Sequence, residues 1–285
     1  MMRKHPPWIK VKISANDEFV RMRRLVASQA LHTVCESAAC PNIGECWGRG
    51  TATFMILGGN CSRNCRFCDV RAAHPEPVDP QEPERVAKAI RTLALKHAVI
   101  TSVTRDDLPD GGSQFWADTI GRIRELNPTC RIEVLIPDFQ GDRRALERIV
   151  NAGPDILGHN LETVWRLYPQ ARPQADYQQS LQLLKRAKEA GCITKSGVML
   201  GMGERECEVR EVLQDMRQAG CDILTFGQYL QPTRQHLPVV RYWTPEEFQC
   251  LKEEGNALGF LHIESGPLVR SSYHADRVNL AKRLS

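Results

Sequence analysis

From Thr51 onward the chain alternates short apolar runs with longer amphipathic ones, and this alternation restricts its fold more than any other feature. The runs Thr51–Leu57, His97–Val103, Arg131–Ile136, Ile156–Asn160, Ile193–Leu200 and Ile223–Leu230 have the length and hydrophobicity of strands. Between them, Pro83–Leu95, Ser113–Leu126, Arg143–Ala152, Tyr177–Ala190 and Cys207–Ala219 repeat apolar residues at helical spacing, as Val209, Val212, Leu213 and Met216 do in the last. Gly153, Gly191 and Gly220 sit just past three of these helices, where a left-handed residue ends the last turn. Thr244 and Pro245 start one more helix as N-cap and first helical residue, and Phe260–Ile263 reads as a last short strand.

Six strand–helix units in succession imply the α/β class with a parallel sheet. Six are too few for the complete eight-fold barrel. The expected fold is a partial (β/α)6 TIM-type barrel with an N-terminal extension, its strands' C-terminal ends facing a cavity. A doubly wound sheet competes with it, because periodicity does not separate the two. The expected division is 1–50 for the extension, 51–260 for the barrel and 261–285 for a C-terminal segment. In the extension, Asp17–Leu31 reads as a helix, with Phe19, Met22, Val26 and Ala30 at helical spacing.

Six of the eleven cysteines fall between positions 35 and 68. The total is odd, and such clustering in a reducing compartment points to metal binding rather than disulfides. Cys130, Cys192, Cys207, Cys221 and Cys250 lie scattered through helix and strand patterns and read as small buried hydrophobes. Cys61, Cys65 and Cys68 form a C-x3-C-x2-C run directly after the first strand candidate. Three thiolates so spaced can hold three irons of a four-iron cubane and leave the fourth iron open to a substrate. Cys35, Cys40 and Cys46 form a second set, C-x4-C-x5-C, in a loop of Gly, Pro and Asn. Zinc sites are the competing reading of both, and each would need a further Cys or His.

The first run, with Phe67 before its last cysteine, resembles the radical S-adenosylmethionine superfamily. Together with the second run and Arg270-Ser271-Ser272-Tyr273 near the C-terminus, it resembles the lipoyl synthase family. The likeness extends to Cys35–Asn42, Thr101–Leu108 with Asp110-Gly111-Gly112, Gly158–Thr163, Lys195–Gly201 and Gly227–Thr233. It implies a sulfurtransferase carrying two [4Fe-4S] clusters and using S-adenosylmethionine. Cys61, Cys65 and Cys68 would hold the cluster that cleaves S-adenosylmethionine to a 5′-deoxyadenosyl radical. Cys35, Cys40, Cys46 and a serine of the C-terminal motif, assigned as Ser271 rather than Ser272, would hold an auxiliary cluster that donates sulfur. The substrate would be an octanoyl chain on a lysine of a carrier domain, sulfur entering at its sixth and eighth carbons. The implied partners are acyltransferase subunits of 2-oxoacid dehydrogenases, the glycine cleavage H protein, a ferredoxin or flavodoxin reductant, and an iron–sulfur carrier protein.

On this reading the extension brings the second cysteine set over the same mouth as the first. Residues at strand ends become the cofactor contacts, Thr104, Asp106, Asn160, Glu162, Gln228 and Leu230, together with Lys195 inside the fifth strand. His32, His97, His159 and His236 are scattered and read as structural. A net charge of +4 and the lack of a nucleic-acid-binding motif give no case for nucleic acid. No apolar run approaches membrane-span length, and Met1–Trp8 lacks the apolar core of a signal peptide, so a cytoplasmic enzyme is expected. Two other functions compete: a biotin-synthase-like sulfurtransferase on a free substrate, and a non-catalytic iron–sulfur or zinc protein.

Overall fold

The computed structural model describes residues 5–11, 16–49, 51–275 and 278; readings that fall on Met1–Lys4 and Gly50 lie outside them. A two-residue strand, β1 (His32–Thr33), lies antiparallel on β2 (Thr53–Ile56). From β2 the sheet continues in parallel, in chain order, through β3 (His97–Ser102), β4 (Arg131–Leu135), β5 (Ile156–Gly158), β6 (Thr194–Leu200), β7 (Ile223–Gln228) and β8 (His262–Gly266). Unbroken chain order identifies the partial barrel, since a doubly wound sheet reverses direction at a switch point. Among the described residues no pairing joins β8 back to β1 or β2.

The sheet's seventh parallel strand is the last short strand read at Phe260–Ile263, shifted toward the C-terminus. β8 pairs with β7 from His262 to Gly266, past the boundary expected at residue 260. Glu264, Ser265 and Gly266 extend it, and their polarity hides that half from a reading of apolar runs. The remaining strands are shorter than their apolar runs by one to three residues, at the mouth in β3, β4, β5 and β7, at the entry in β6 and at both ends in β2.

The extension holds α1 (Asp17–Ser28), α2 (Val34–Ser37) and α3 (Ile43–Gly48). The outer layer is α4 (Glu82–Thr92), α5 (Ser113–Leu126), α6 (Arg143–Asn151), a short α7 (Tyr168–Ala171), α8 (Tyr177–Glu189), α9 (Glu206–Gln218) and α10 (Pro245–Ala257). Each long helix of this layer presents an apolar stripe to the sheet; α9 buries Val209, Val212, Leu213 and Met216. Thr244 caps α10 reciprocally: its hydroxyl accepts from the Glu247 N–H, and the Glu247 carboxylate accepts from the Thr244 N–H at 2.7 Å. Gly153, Gly191 and Gly220 adopt φ of 72°, 90° and 78° past α6, α8 and α9.

Of the five scattered cysteines, Cys130 and Cys221 are buried and Cys192 is half-buried, but Cys207 and Cys250 are exposed. Both lie on helices one position off the buried stripe. His159 is fully enclosed: its Nδ1–H donates to the Ile136 carbonyl at 2.9 Å, and Nε2 faces the Ser180 hydroxyl at 3.1 Å. Burial lowers its pKa to about 4, with the Arg172 cation acting the same way. The unfolded chain therefore binds a proton near pH 6.5 that the folded chain refuses until about 4. We expect the apoprotein to lose roughly 3 kcal/mol of stability as pH falls through this window. Urea unfolding of wild type and His159→Gln at pH 7 and 4.5 checks this; the variant should lose the slope.

Candidate active site

The Cys61–Cys68 loop leaves the C-terminal end of β2, and the barrel pins it at several points. The Cys61 N–H donates to the Arg71 carbonyl at 2.8 Å, and the Ser62 N–H and hydroxyl both donate to the Thr104 carbonyl, at 3.0 and 2.9 Å. Thr104 returns its own N–H toward the Cys61 Sγ at 3.3 Å. The Arg66 N–H donates to Ala171, the Leu237 N–H to Arg66, and the His236 Nε2 lies 2.9 Å from the Cys68 carbonyl. His236 thus braces this loop. Phe67 packs on the apolar core beside it.

The strongest anchor is Arg63, between Cys61 and Cys65 and only 5% exposed. Its guanidinium makes paired bonds to Asp106 at 2.6 and 2.9 Å and to Asp138 at 2.8 and 2.7 Å. Burial works against the Asp138 carboxylate, but Arg63 outweighs it and holds the group at about 2. Arg63→Ala would leave the enclosed Asp138 charge without its cation, and we expect a loss of about 3–5 kcal/mol. Urea unfolding of the apoprotein measures it; a loss below about 1 kcal/mol would contradict the clamp.

The Cys65 and Cys68 thiols each feel the Cys61 sulfur, so the three share one site. Burial raises both, Cys68 to about 12, so these thiols carry protons until a metal displaces them. Cys35, Cys40 and Cys46 line one small cavity with Arg270, Ser272 and Tyr273, and burial raises Cys35 to about 11 and Cys46 to about 12. Among the described residues no three His, Cys, Asp or Glu side chains are grouped as ligands of a single metal ion. Each set offers three sulfurs, the donor chemistry of an iron–sulfur cluster.

The second cavity does not lie over the mouth as expected. It borders Thr51, Ala52 and Thr53, the entry to β2, whereas the first triplet follows the exit of that strand. The reason is the open edge of the sheet: the extension and the segment after β8 lie there, and Asn42 Nδ2 joins them by donating to the Leu268 carbonyl at 2.6 Å. Ser272 borders the cysteine cavity. Ser271 and Ser272 both border an adjoining interior cavity with Glu133, Asn160 and Lys195.

The expected cofactor contacts divide. Asn160 and Glu162 follow β5 at the mouth, where the Asn160 Nδ2 donates to the Glu162 carboxylate at 3.0 Å. Glu162 has φ 68°, a left-handed strain held by its N–H on Gly197 and by the Met199 N–H on its carbonyl. Burial raises its pKa. Thr104 acts through its backbone, and Leu230 is half-buried past the end of β7. Three others have partners that leave them little freedom. Asp106 is held by Arg63. The Lys195 ammonium donates to Glu133 at 2.6 Å, and Glu133 also meets His97 at 3.1 Å, so Lys195 belongs to a buried ionic group within the barrel. The Gln228 amide donates to the Tyr229 and Arg241 carbonyls and accepts from the Trp243 N–H, which uses both ends of it.

Residues not expected from sequence complete the mouth. Arg172 donates to the Asn160 carbonyl at 2.8 Å, lies over the Tyr168 ring, and its charge acts on Cys65. Its Nε, the Asn160 Oδ1 and the Ser102 hydroxyl at the end of β3 are buried without a partner among the described residues. Buried polar atoms of this kind fit a polar ligand seated at the strand ends.

A family model described as the radical SAM superfamily matches residues 55–216, from within β2 into the last turn of α9. A lipoyl synthase of Bacteroides fragilis is 52% identical over 272 residues, 95% of this chain and 94% of that protein. One from Caldanaerobacter subterraneus subsp. tengcongensis is 54% identical, covering 97% of each chain, and a mitochondrial lipoyl synthase of Nematostella vectensis is 53% identical over 95% of this chain and 94% of its own. Among solved structures, methylornithine synthase superposes with a TM-score of 0.58 at 12% identity, over 88% of this chain and 72% of that one. At that identity the likeness concerns the fold alone, and it agrees with the partial barrel. A cysteine loop at the exit of the first parallel strand, and identity above one half over nearly the whole length of its relatives, place the chain in the lipoyl synthase family of the radical SAM superfamily.

Proposed function

We propose that this chain builds the lipoyl group by inserting two sulfur atoms, at C6 and C8, into an octanoyl chain carried on a protein lysine. The observation that supports it best is the pairing of two three-cysteine sites at the two ends of β2, a four-residue strand about 13 Å long. Cys61, Cys65 and Cys68 are the ligands of a [4Fe-4S] cluster, and Cys35, Cys40 and Cys46 of a second one. A serine of the Ser271–Ser272 turn completes the second site. Ser271 is the assignment from the family likeness, while Ser272 is the one that borders the cysteines. When bound, the first cluster and S-adenosylmethionine supply a carbon radical able to take hydrogen from an unactivated C–H bond.

The protein's own part is holding and excluding. Asn160, Glu162, Arg172 and Ser102 are placed to hold the polar groups of S-adenosylmethionine, with Thr104 and Leu230 beside them and Asp106, Lys195 and Gln228 as braces. The Arg63 clamp fixes the cysteine loop before any ligand arrives, so little reorganisation remains for the reaction. The barrel interior between the two sites takes the acyl chain away from water, and selectivity between carbons follows from position.

The substrate is an octanoylated carrier domain: the acyltransferase subunits of 2-oxoacid dehydrogenases or the glycine cleavage H protein. A ferredoxin or flavodoxin supplies electrons, and an iron–sulfur carrier protein rebuilds the second site. A reducing cytoplasm suits this chemistry, and no helix among the described residues is long and apolar enough to cross a membrane. Iron and sulfide analysis after anaerobic reconstitution tests the reading. Two cubanes require about eight irons per chain. Zinc without iron would refute it.

A further inference from the structure

We propose that Gly227, Asn42 and Glu45 form a seat and latch that set the serine turn against the three N-terminal cysteines, and so build the second cluster site from the two ends of the chain. This rests on the reading of that cavity as a cluster site.

The turn Val269–Tyr273 has no regular element of its own to fix its position. It follows β8 and is held from three sides. Beneath it lies Gly227, inside β7. A Cβ there would stand 2.0 Å from the Val269 carbonyl oxygen and 3.0 Å from the Val269 carbonyl carbon. Those atoms are backbone, so they do not swing aside as a flexible side chain would. Gly227 has no left-handed φ, so closeness rather than conformation accounts for glycine at this position. At its edge, the Gln228 N–H donates to the Pro267 carbonyl at 3.2 Å. In front, buried Asn42 donates to the Leu268 carbonyl at 2.6 Å, and the Tyr273 hydroxyl meets the Glu45 carboxylate at 3.2 Å. Asn42 lies between Cys40 and Cys46, and Glu45 directly precedes Cys46. The same short segment thus carries two of the cysteines and both latch groups.

Positioning follows from this geometry. A ligand on a turn must reach its metal within a fraction of an ångström, and misplacement by about 1 Å costs about a hundredfold. The Ala methyl at position 227 would push the Val269 carbonyl, and the serines two and three residues beyond it, away from the cysteines. The first cysteine site stands on other contacts, from Thr104, Arg63 and Ala171, and would not move with the turn.

Gly266 supplies the control. It is paired in register with Gly227, and its Cβ would meet only the Val269 side chain, at an ordinary 3.5 Å. The experiment compares Gly227→Ala, Asn42→Ala, Gly266→Ala and Cys40→Ala after anaerobic reconstitution. It reads iron per chain, the rate of iron release to a chelator, 5′-deoxyadenosine formation and thermal unfolding. In Gly227→Ala we expect about half the wild-type iron, 5′-deoxyadenosine formation within a few-fold of wild type, and sulfur insertion lower by about a hundredfold. Asn42→Ala should release the same half of its iron about tenfold faster than wild type. Gly266→Ala should match wild type throughout.

Full iron in Gly227→Ala, released at the wild-type rate, would overturn the seat. Asn42→Ala adds no atoms to the packing and decides the matter if Gly227→Ala does not fold: wild-type release of its iron would overturn the latch. Full iron in Cys40→Ala would instead overturn the cluster site on which both depend.

Discussion

Replacing Cys65 by Ala should bring 5′-deoxyadenosine formation down to the background of the assay, a loss of at least about a thousandfold, or roughly 4 kcal/mol in the barrier. Cys65 stands at the centre of the loop between the Arg63 clamp and the Arg66–Ala171 backbone bond, so its sulfur has a fixed position and no neighbouring thiol to replace it. An iron held by two thiolates is exposed to chelation and loss. The loop's anchors are backbone bonds and the Ser62, Arg63 and His236 side chains, none of which uses the Cys65 side chain. The fold should therefore survive, with a stability change within about 1 kcal/mol of wild type. Cleavage of S-adenosylmethionine that persists in a folded Cys65→Ala protein would mean that the first triplet does not hold the radical-generating cluster.

Cys40→Ala is the complementary case, with an equally large effect on a different step. It removes one proposed ligand of the second site and leaves every anchor of the first in place. S-adenosylmethionine should still be cleaved when an octanoylated carrier is present, but no sulfur should reach the acyl chain. The expected loss of lipoyl product is at least about a thousandfold. Liquid chromatography of 5′-deoxyadenosine and mass spectrometry of the carrier read the two halves separately. A Cys40→Ala protein that still forms the lipoyl group would remove the second triplet from the role of sulfur donor.

The two cysteine sets were legible in the sequence because spacing alone brings near neighbours together. The strands were legible because burial on both faces leaves a nearly unbroken apolar run; all four residues of β2 are buried. The second half of β8, past the strand read at Phe260–Ile263, escaped because it is polar and lies at a sheet edge, and β1 because two residues carry no pattern. Polar residues at strand positions showed which side chains face inward but not which partner each one finds there. Lys195 meets Glu133 across 62 positions of sequence, and Gln228 meets Trp243 across 15. Arg63 reaches Asp138 over 75 positions, and Asn42 reaches Leu268 over 226. No local pattern announces such pairs. Arg172 was missed for the same reason: in sequence it is one more arginine in a loop, and only the fold sets it beside Asn160 and Cys65. The placement of the second site at the entry of β2 is a property of how the extension meets the open sheet edge, which strand counting does not contain.

The most direct test of the whole account is anaerobic incubation of the reconstituted protein with S-adenosylmethionine, a reductant and an octanoylated carrier peptide, followed by mass spectrometry of that peptide. The account predicts a peptide that gains two sulfur atoms and loses two hydrogens at C6 and C8, with about two 5′-deoxyadenosines formed per peptide converted, one for each C–H bond opened. An unmodified peptide, from a protein that holds about eight irons and cleaves S-adenosylmethionine, would contradict it.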